Sequence, residues 1–133
     1  MGRTVTRLLL DTHTLLWWFT DDTRLSRAAR AAIGDETNEV HVSAASAWEI
    51  STKQRLGKLS TVPGAVRQFA ELTTANGFSH LPVTYLHGFR AGAYDCEHRD
   101  PFDRMLAAQS ELERLTLVTR DPAFVSLGAR TLW

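Results

Sequence analysis

The stretch RLLLDTHTLLWW, residues 7–18, decides the fold. It opens with a short continuous apolar run, Leu8 to Leu10, which is the pattern of a strand buried on both faces of a parallel sheet. Asp11 then stands at the carboxyl end of that strand. Thr12 can cap a helix that runs through LLWWF to about Phe19. The stretch therefore predicts a strand followed at once by a helix, with an acid between them.

Further strands are predicted along the chain by the same kind of short apolar run. VHVS, from Val40 to Ser43, is one, and LTLVT, from Leu115 to Thr119, is the clearest late one. FSHLPV, from Phe78 to Val83, is weakened by Pro82, which predicts a strand at the edge of the sheet. The final ARTLW adds one more short strand.

Helices are predicted between these strands. Ser26 can cap RAARAAI, which Gly34 ends, and AASAWEISTKQRL after Ser43 ends at Gly57. A further helix is predicted from Pro63 to about Thr74.

The helix in RDPFDRMLAAQSELERL has the clearest start signal. Asp100 is its predicted N-cap and Pro101 its first residue. Spacings of three and four residues predict one buried stripe on it, formed by Met105, Ala108, Leu112 and Leu115.

Strands that alternate with helices through short links predict an α/β fold, with a mainly parallel sheet covered by helices on both faces. The 133 residues fit one domain, which we assign to residues 1–133. In such sheets, ligands bind beyond the carboxyl ends of the strands.

The composition excludes several classes of protein. Fifteen basic and fifteen acidic residues give a net charge of +0, so no global positive field attracts a polyanion, and any nucleic acid must be bound locally. The single cysteine, Cys96, excludes an internal disulfide and a cysteine-based zinc site, which suits a reducing cytoplasm. No stretch approaches the roughly 20 apolar residues that span a bilayer, so we expect a soluble, cytoplasmic protein.

Four acids fall where the strand-end rule predicts a site: Asp11, Glu49, Asp103 and Asp121. Crowded carboxylates repel one another, and without compensating charge at least one becomes protonated. Mg²⁺ or Mn²⁺ removes that penalty and prefers oxygen ligands. The set therefore predicts metal-dependent hydrolysis of a phosphodiester by activated water.

Structural interpretations of the same acids stay open. Asp11 can cap the following helix, although an acid directly after three leucines is costly unless it is paired or bound to metal. Glu49 can pair with Lys53 at i+4. Asp100 and Asp103 together resemble a capping box, and the fourth acid precedes a proline, where it can initiate a turn. No single acid indicates function; the presence of all four acids at these positions does.

The chain resembles the VapC toxins of the PIN-domain superfamily in five motifs along nearly its whole length. In order, these are LLLDTHTLLWW, then LS with a later AR, VSAASAWEISTKQRLGKL, HRDPFDRMLAAQS and LVTRDPAF. The resemblance implies a PIN-like three-layer α/β/α sandwich and an Mg²⁺- or Mn²⁺-dependent endoribonuclease. It further implies a VapB-type antitoxin as partner, a homodimer, and a hetero-oligomer with that antitoxin.

The resemblance also implies roles for particular residues. Asp11 and Asp103 match the firmest metal ligands of the family, Glu49 matches the acid of the second motif, and Asp121 matches the fourth, more variable acid. Asp100 is interpreted as a helix cap that borders the site. Hydrogen bonds from Thr12 and Thr119 can support the carboxylates, or satisfy only local backbone.

Other residues of chemical interest receive simpler interpretations. Arg99, Arg104 and Arg120 lie beside the acidic motifs and could bind RNA phosphates, although solvated arginines are common. Three tryptophans are expected to be core or interface residues: Trp17, Trp18 and Trp48. The histidines lack the i, i+4 pair of a zinc site and are expected to pack or to lie at the surface: His13, His41, His80, His87 and His98.

Three alternatives remain. An aspartyl phosphatase of the haloacid-dehalogenase kind wants a second aspartate two residues after the first, where this chain has His13. A non-catalytic module that binds a partner through its acidic cleft would be marked by loss of a core acid, and all four acids are present. Within the nucleases, a DNA substrate or a housekeeping RNA-processing role is open.

Overall fold

A computed structural model describes residues 5–58 and 64–133. Within them, five strands form one sheet: β1 (Arg7–Leu10), β2 (Glu39–Ser43), β3 (Ser79–Leu81), β4 (Thr116–Val118) and β5 (Thr131–Leu132). Their order in the sheet is β3-β2-β1-β4-β5, and every pairing is parallel. The predicted sheet is confirmed, and FSHLPV does lie at an edge.

Helices connect the strands. Their bounds are α1 (Thr12–Phe19), α2 (Arg27–Gly34), α3 (Ala44–Arg55), α4 (Ala65–Ala75), α5 (Tyr85–Ala93), α6 (Pro101–Leu112) and α7 (Ala123–Ser126). The predicted caps of Ser26 and Asp100 are confirmed by side-chain hydrogen bonds to backbone N–H groups of the first turn. The predicted start of α4 at Pro63 lies outside the described residues. None of the helices in residues 5–58 and 64–133 is both long enough and apolar enough to cross a membrane.

Strand β1 carries the core of both sheet faces. Leu8 and Leu10 point to one face and pack in a cluster with residues of α1, α2 and β2, whereas Leu9 points to the other and packs against α6 and α7. All three leucines are fully buried, as a strand between two helical layers requires. The three-layer α/β/α fold follows from this alternation.

Two sequence predictions about helices need correction, and one helix was missed. Thr12 is not the N-cap of α1; the alternative interpretation of Asp11 as the cap is confirmed, because its carboxylate accepts a hydrogen bond from Thr14 N–H. Of the predicted stripe on α6, Ala108 and Leu115 are buried, but Met105 is only half-buried and Leu112 is 43% exposed, because the buried residues of the helix run from Leu106 to Ser110. Helix α5 was not predicted, since its segment has two glycines and no regular apolar spacing.

Candidate active site

Asp11 lies at the carboxyl end of β1, at the centre of the sheet. Its backbone N–H donates to Val118 O of the neighbouring β4 (3.2 Å), which holds the residue in line with the sheet. One carboxylate oxygen caps α1 at Thr14 N–H (2.7 Å), and the other accepts a hydrogen bond from Thr119 Oγ1 (2.5 Å). The side chain is therefore fixed from both sides, and the residue is only 7% exposed.

Thr119 connects Asp11 to Asp121. Its hydroxyl oxygen accepts a hydrogen bond from Asp121 N–H (3.0 Å) while its proton goes to Asp11. Asp121 itself is exposed, and its carboxylate accepts from Ala123 N–H (2.9 Å) at the start of α7. The predicted turn role of Asp121 is confirmed by this hydrogen bond. Asp121 also lines the same pocket as Asp11.

Glu49 is buried on α3, facing the start of α1. Thr12 Oγ1 donates to Glu49 Oε1 (2.5 Å) and lies 3.0 Å from Ser46 Oγ. Lys53 Nζ donates to the second carboxylate oxygen, which is the predicted i+4 pair. Glu49 is only 4% exposed, so it is not an ordinary surface partner of that lysine. Its contact with Thr12 places it next to the start of α1, which Asp11 caps.

Asp103 lies in the first turn of α6. Its carboxylate contacts His98 Nε2 at 2.9 Å, so the capping-box interpretation of Asp103 is wrong and only Asp100 caps the helix. The preceding residue, Phe102, packs edge-on against Trp48 of α3 with ring centroids 4.5 Å apart. This contact brings the start of α6 against the helix that carries Glu49.

The electrostatics agree with that placement. Burial, helped by the negative charges of Asp100 and Glu49, raises the pKa of Asp103 to about 6 against the hydrogen bond with His98, which lowers it. Burial also raises the pKa of Asp11, against hydrogen bonds from Thr119 and Thr14 that lower it. Both carboxyl groups are therefore held where ionisation is costly without added positive charge.

The acids fit a hard divalent cation. All four carry carboxylate oxygens, the ligand type that such a cation prefers, and a cation would offset the cost of ionising Asp103, whose pKa is raised by burial and by nearby negative charge. Among the described residues, no three His, Cys, Asp or Glu side chains lie close enough together to form a ready metal-binding group. The prediction that the four acids share one metal ion is therefore not shown by the described residues and stays a prediction.

A pocket of about 350 Å³ opens beside Asp11 and Asp121. It is lined by both acids and by aromatic and basic side chains: His13, Trp17, Arg24, Arg120 and Pro122. Trp17 is buried in the core, as predicted, and also forms the pocket wall. A group bound in this pocket would lie against Asp11 and Asp121, whereas Glu49 and Asp103 are not among its lining residues.

The arginines beside the motifs differ in their contacts. Arg104 is used inside the protein: it donates to backbone carbonyls of Ala91 (2.8 Å), Tyr94 (2.6 Å) and His98 (2.7 Å). The prediction that Arg104 binds RNA is therefore wrong, because its guanidinium organises the connection between α5 and α6. Arg99 is exposed on that connection, and Arg120 lines the pocket.

Sequence reasoning missed three residues that contact this region. His98 bonds Asp103, Ser46 approaches Thr12, and Arg24 lines the pocket. His98 is 23% exposed, close to the surface position that was expected, but its contact with Asp103 was not predicted. The sequence carries no local signal for this contact, because the path of the loop before α6 depends on contacts distant in sequence.

Comparison with known proteins identifies the family. The family model described as PIN domain matches residues 8–129. The chain belongs to the PIN domain family. Membership in this superfamily implies a nuclease, as the sequence predicted. A search of curated proteins found no match.

Solved structures share the fold of this PIN domain. VapBC2 from Rickettsia felis, bound to a promoter DNA fragment, aligns with a TM-score of 0.68 at 13% identity, covering 96% of this chain and 98% of that one. A toxin-antitoxin complex from Klebsiella pneumoniae aligns with 0.58 at 20% identity over 86% of each chain. FitAcB from Neisseria gonorrhoeae aligns with 0.58 at 19% identity, covering 95% and 96%. At these identities the similarity shows the fold alone.

Proposed function

We propose that this PIN domain is a metal-dependent endoribonuclease that hydrolyses RNA phosphodiesters at the acidic edge of the sheet. The observation that carries the proposal is Asp11, a buried carboxylate at the carboxyl end of the central strand, opening with Asp121 into one pocket. Parallel α/β sheets bind their ligands at this edge. The motif resemblance to VapC toxins supports RNA as the substrate.

Asp11 and Asp103 would hold Mg²⁺ or Mn²⁺, with Glu49 and Asp121 completing the acidic set. The chemistry that a bound cation supplies is Lewis acidity toward water and phosphate oxygens. The protein's own groups fix the carboxylates: Thr119 and Thr14 N–H hold Asp11, and His98 holds Asp103. Thr12 and Lys53 hold Glu49.

The replacement Asp11→Asn tests the catalytic part of the proposal. An asparagine can still accept the hydrogen bond from Thr14 N–H and removes a carboxyl group whose ionisation burial opposes, so the protein should fold. We expect cleavage of single-stranded RNA with Mg²⁺ or Mn²⁺ to fall on the order of 100-fold or more. Gel assays of RNA and DNA side by side measure it.

Asp21→Asn is the matched control, because it removes the same charge from a side chain that is 88% exposed. It should cleave like the unchanged protein. An unchanged rate in Asp11→Asn, with both variants folded by circular dichroism, would count against the metal site. Cleavage of DNA but not RNA would correct the substrate alone.

We further propose that the protein is the toxin of a type II toxin-antitoxin system and that a small VapB-type antitoxin binds it. Structures with this fold include a toxin-antitoxin complex, which supports the proposal. We expect expression of the chain alone to slow growth of its host, and co-expression of a small protein encoded beside it to restore growth. The homodimer and the hetero-oligomer with antitoxin stay predictions, to be read from the mass of the purified complex.

The growth experiment has its own control. Expression of Asp11→Asn to the same level should leave growth unchanged, because toxicity requires cleavage. Slow growth with both proteins would point to a burden of expression, and normal growth with the unchanged protein would remove the toxin assignment.

A further inference from the structure

The pocket beside Asp11 contains a stack of cationic and aromatic groups that the acidic site does not use. The ring of Trp17 lies under two guanidinium groups, with Arg120 Cζ 4.7 Å and Arg24 Cζ 5.0 Å from its centroid. All three residues line the pocket together with Asp11. The stack is therefore part of the wall against which any group bound at Asp11 must lie.

Trp17 gives this wall a rigid base. The residue is 8% exposed and belongs to the core cluster around Leu8 and Leu10. Its ring also meets that of Trp133 edge-on at 5.9 Å. A guanidinium stacked on a ring held in this way loses much of its freedom, so less entropy is lost when it binds a ligand.

The two arginines differ in the partners of their guanidinium groups. Arg24 is paired with Asp22 through two hydrogen bonds of 3.0 and 2.8 Å, and these hold the pKa of Asp22 down at about 2. Within residues 5–58 and 64–133, Arg120 makes no salt bridge and no side-chain hydrogen bond, and it is exposed. Arg24 is largely neutralised, whereas the donors of Arg120 remain available in the pocket.

A guanidinium that lies over an aromatic ring and makes no salt bridge suits one class of ligand. Its parallel N–H donors match two oxygens of a phosphate, and arginine is favoured wherever that bidentate geometry is needed. The carboxylates of Asp11 and Asp121 in the same pocket disfavour a phosphate without such a partner. Arg120 is thus positioned to hold a phosphate close to the acids.

We propose that Arg120, stacked on Trp17, binds a backbone phosphate of single-stranded RNA next to the phosphodiester that is cut. The inference rests on the proposed function and deepens it by assigning a substrate subsite. Arg120 is a binding residue in this scheme, and Trp17 is the residue that positions it. Because the net charge is +0, no global positive field attracts RNA, and binding depends on local contacts such as this one.

Arg120→Gln tests the subsite by direct binding. Affinity for a labelled single-stranded RNA is measured by fluorescence anisotropy in a chelator, which prevents cleavage, over a series of salt concentrations. We expect binding to weaken about 10-fold. The slope of log K against log salt should fall by about 0.7, the loss of one phosphate contact. In Mg²⁺ or Mn²⁺, KM should rise more than kcat falls.

Two further variants make the result specific. Arg130→Gln removes the same charge from an exposed arginine just before β5, at the amino ends of the parallel strands and so away from the pocket. This variant should leave both the affinity and the slope unchanged. Arg120→Lys keeps the charge but loses the fork of donors. It should restore the salt slope while recovering only part of the affinity.

The outcomes separate this inference from the proposed function. If the unchanged protein cleaves RNA and Arg120→Gln binds it as Arg130→Gln does, the subsite is overturned and the nuclease stands. If the unchanged protein neither binds nor cleaves RNA, both fail. If Arg120→Gln keeps RNA binding but escapes inhibition by the antitoxin, the pocket is a protein-binding site and the RNA subsite is overturned.

Discussion

At Asp103, opposing effects act on one carboxyl group. Burial and the charges of Asp100 and Glu49 raise its pKa to about 6 from an ordinary 3.8, against the hydrogen bond with His98. A carboxyl group whose pKa is higher in the folded protein than in the unfolded chain takes up protons on folding. Stability therefore falls as the pH rises from about 4 to about 6, where the folded protein loses that proton.

Asp103→Asn should consequently stabilise the metal-free protein at neutral pH. Because an amide carries no charge, the variant escapes the cost of ionising a buried group near Glu49. We expect an increase in the free energy of unfolding on the order of 2 kcal/mol at pH 7.5 in a chelator, shrinking toward zero near pH 4. Urea unfolding at a series of pH values measures it.

Asp21→Asn serves again as the control, since its side chain is 88% exposed. Its effect on stability should be small and should not follow the same pH course. A loss of stability in Asp103→Asn at every pH would show that the interaction with His98 outweighs the burial of the charge, contrary to the direction of the pKa.

Individual site residues were predictable to different degrees. Asp11 could be predicted because three apolar residues precede it, so an acid there has either a structural or a functional partner. Thr119 was predicted to support a carboxylate, and its hydroxyl does donate to Asp11. His98 could not be predicted as the partner of Asp103, because the path of the loop before α6 depends on contacts distant in sequence.

At the scale of elements, the connection between α5 and α6 shows where local patterns stop being informative. Helix α5 contains Gly88 and Gly92 and leaves Leu86 and Phe89 exposed, so neither propensity nor periodicity marks it. Its start is fixed by a capping box between Thr84 and His87. Its position depends on packing against α6, and tertiary contacts supply most of the stability of such short helices.

Arg104 is the residue that joins these two helices. Its guanidinium bonds carbonyls at the end of α5 and along the following connection, up to His98. Because His98 contacts Asp103, the arginine holds in place a loop that borders the proposed site. An arginine beside an acidic motif is easily read as a ligand for phosphate, and only the coordinates distinguish it from one that satisfies backbone carbonyls.

Strand β1, in contrast, was predictable because its burial follows from its own residues. A continuous run of leucines excludes a solvent face, so helices must cover both sides of the sheet. The acidic edge follows from the same reasoning, since parallel strands end together. The closeness of Glu49 on α3 to Asp103 on α6 could not be predicted in this way. It depends on how the two helices pack, through contacts such as that of Trp48 with Phe102.

At the scale of the whole molecule, β1 couples two apolar clusters. Leu8 and Leu10 belong to the cluster that includes Trp17, with Trp18 and Trp133 packed against it, and Leu9 belongs to the cluster on the opposite face. Tryptophan fluorescence therefore mainly reports one face of the sheet. Because one strand serves both clusters, we expect them to unfold together as a single domain.

Leu9→Ala tests that coupling. Leu9 is fully buried, and truncation leaves a cavity in the cluster that lacks tryptophan, at a cost of about 3 kcal/mol. In one cooperative domain, urea midpoints from fluorescence and from circular dichroism shift down together, with an unchanged m-value. Val125→Ala, on a side chain that is 64% exposed beside the same cluster, should change both midpoints little. A fluorescence midpoint that stays in place while the circular dichroism transition splits would show two units that unfold independently, because damage to one face would then not reach the tryptophans of the other.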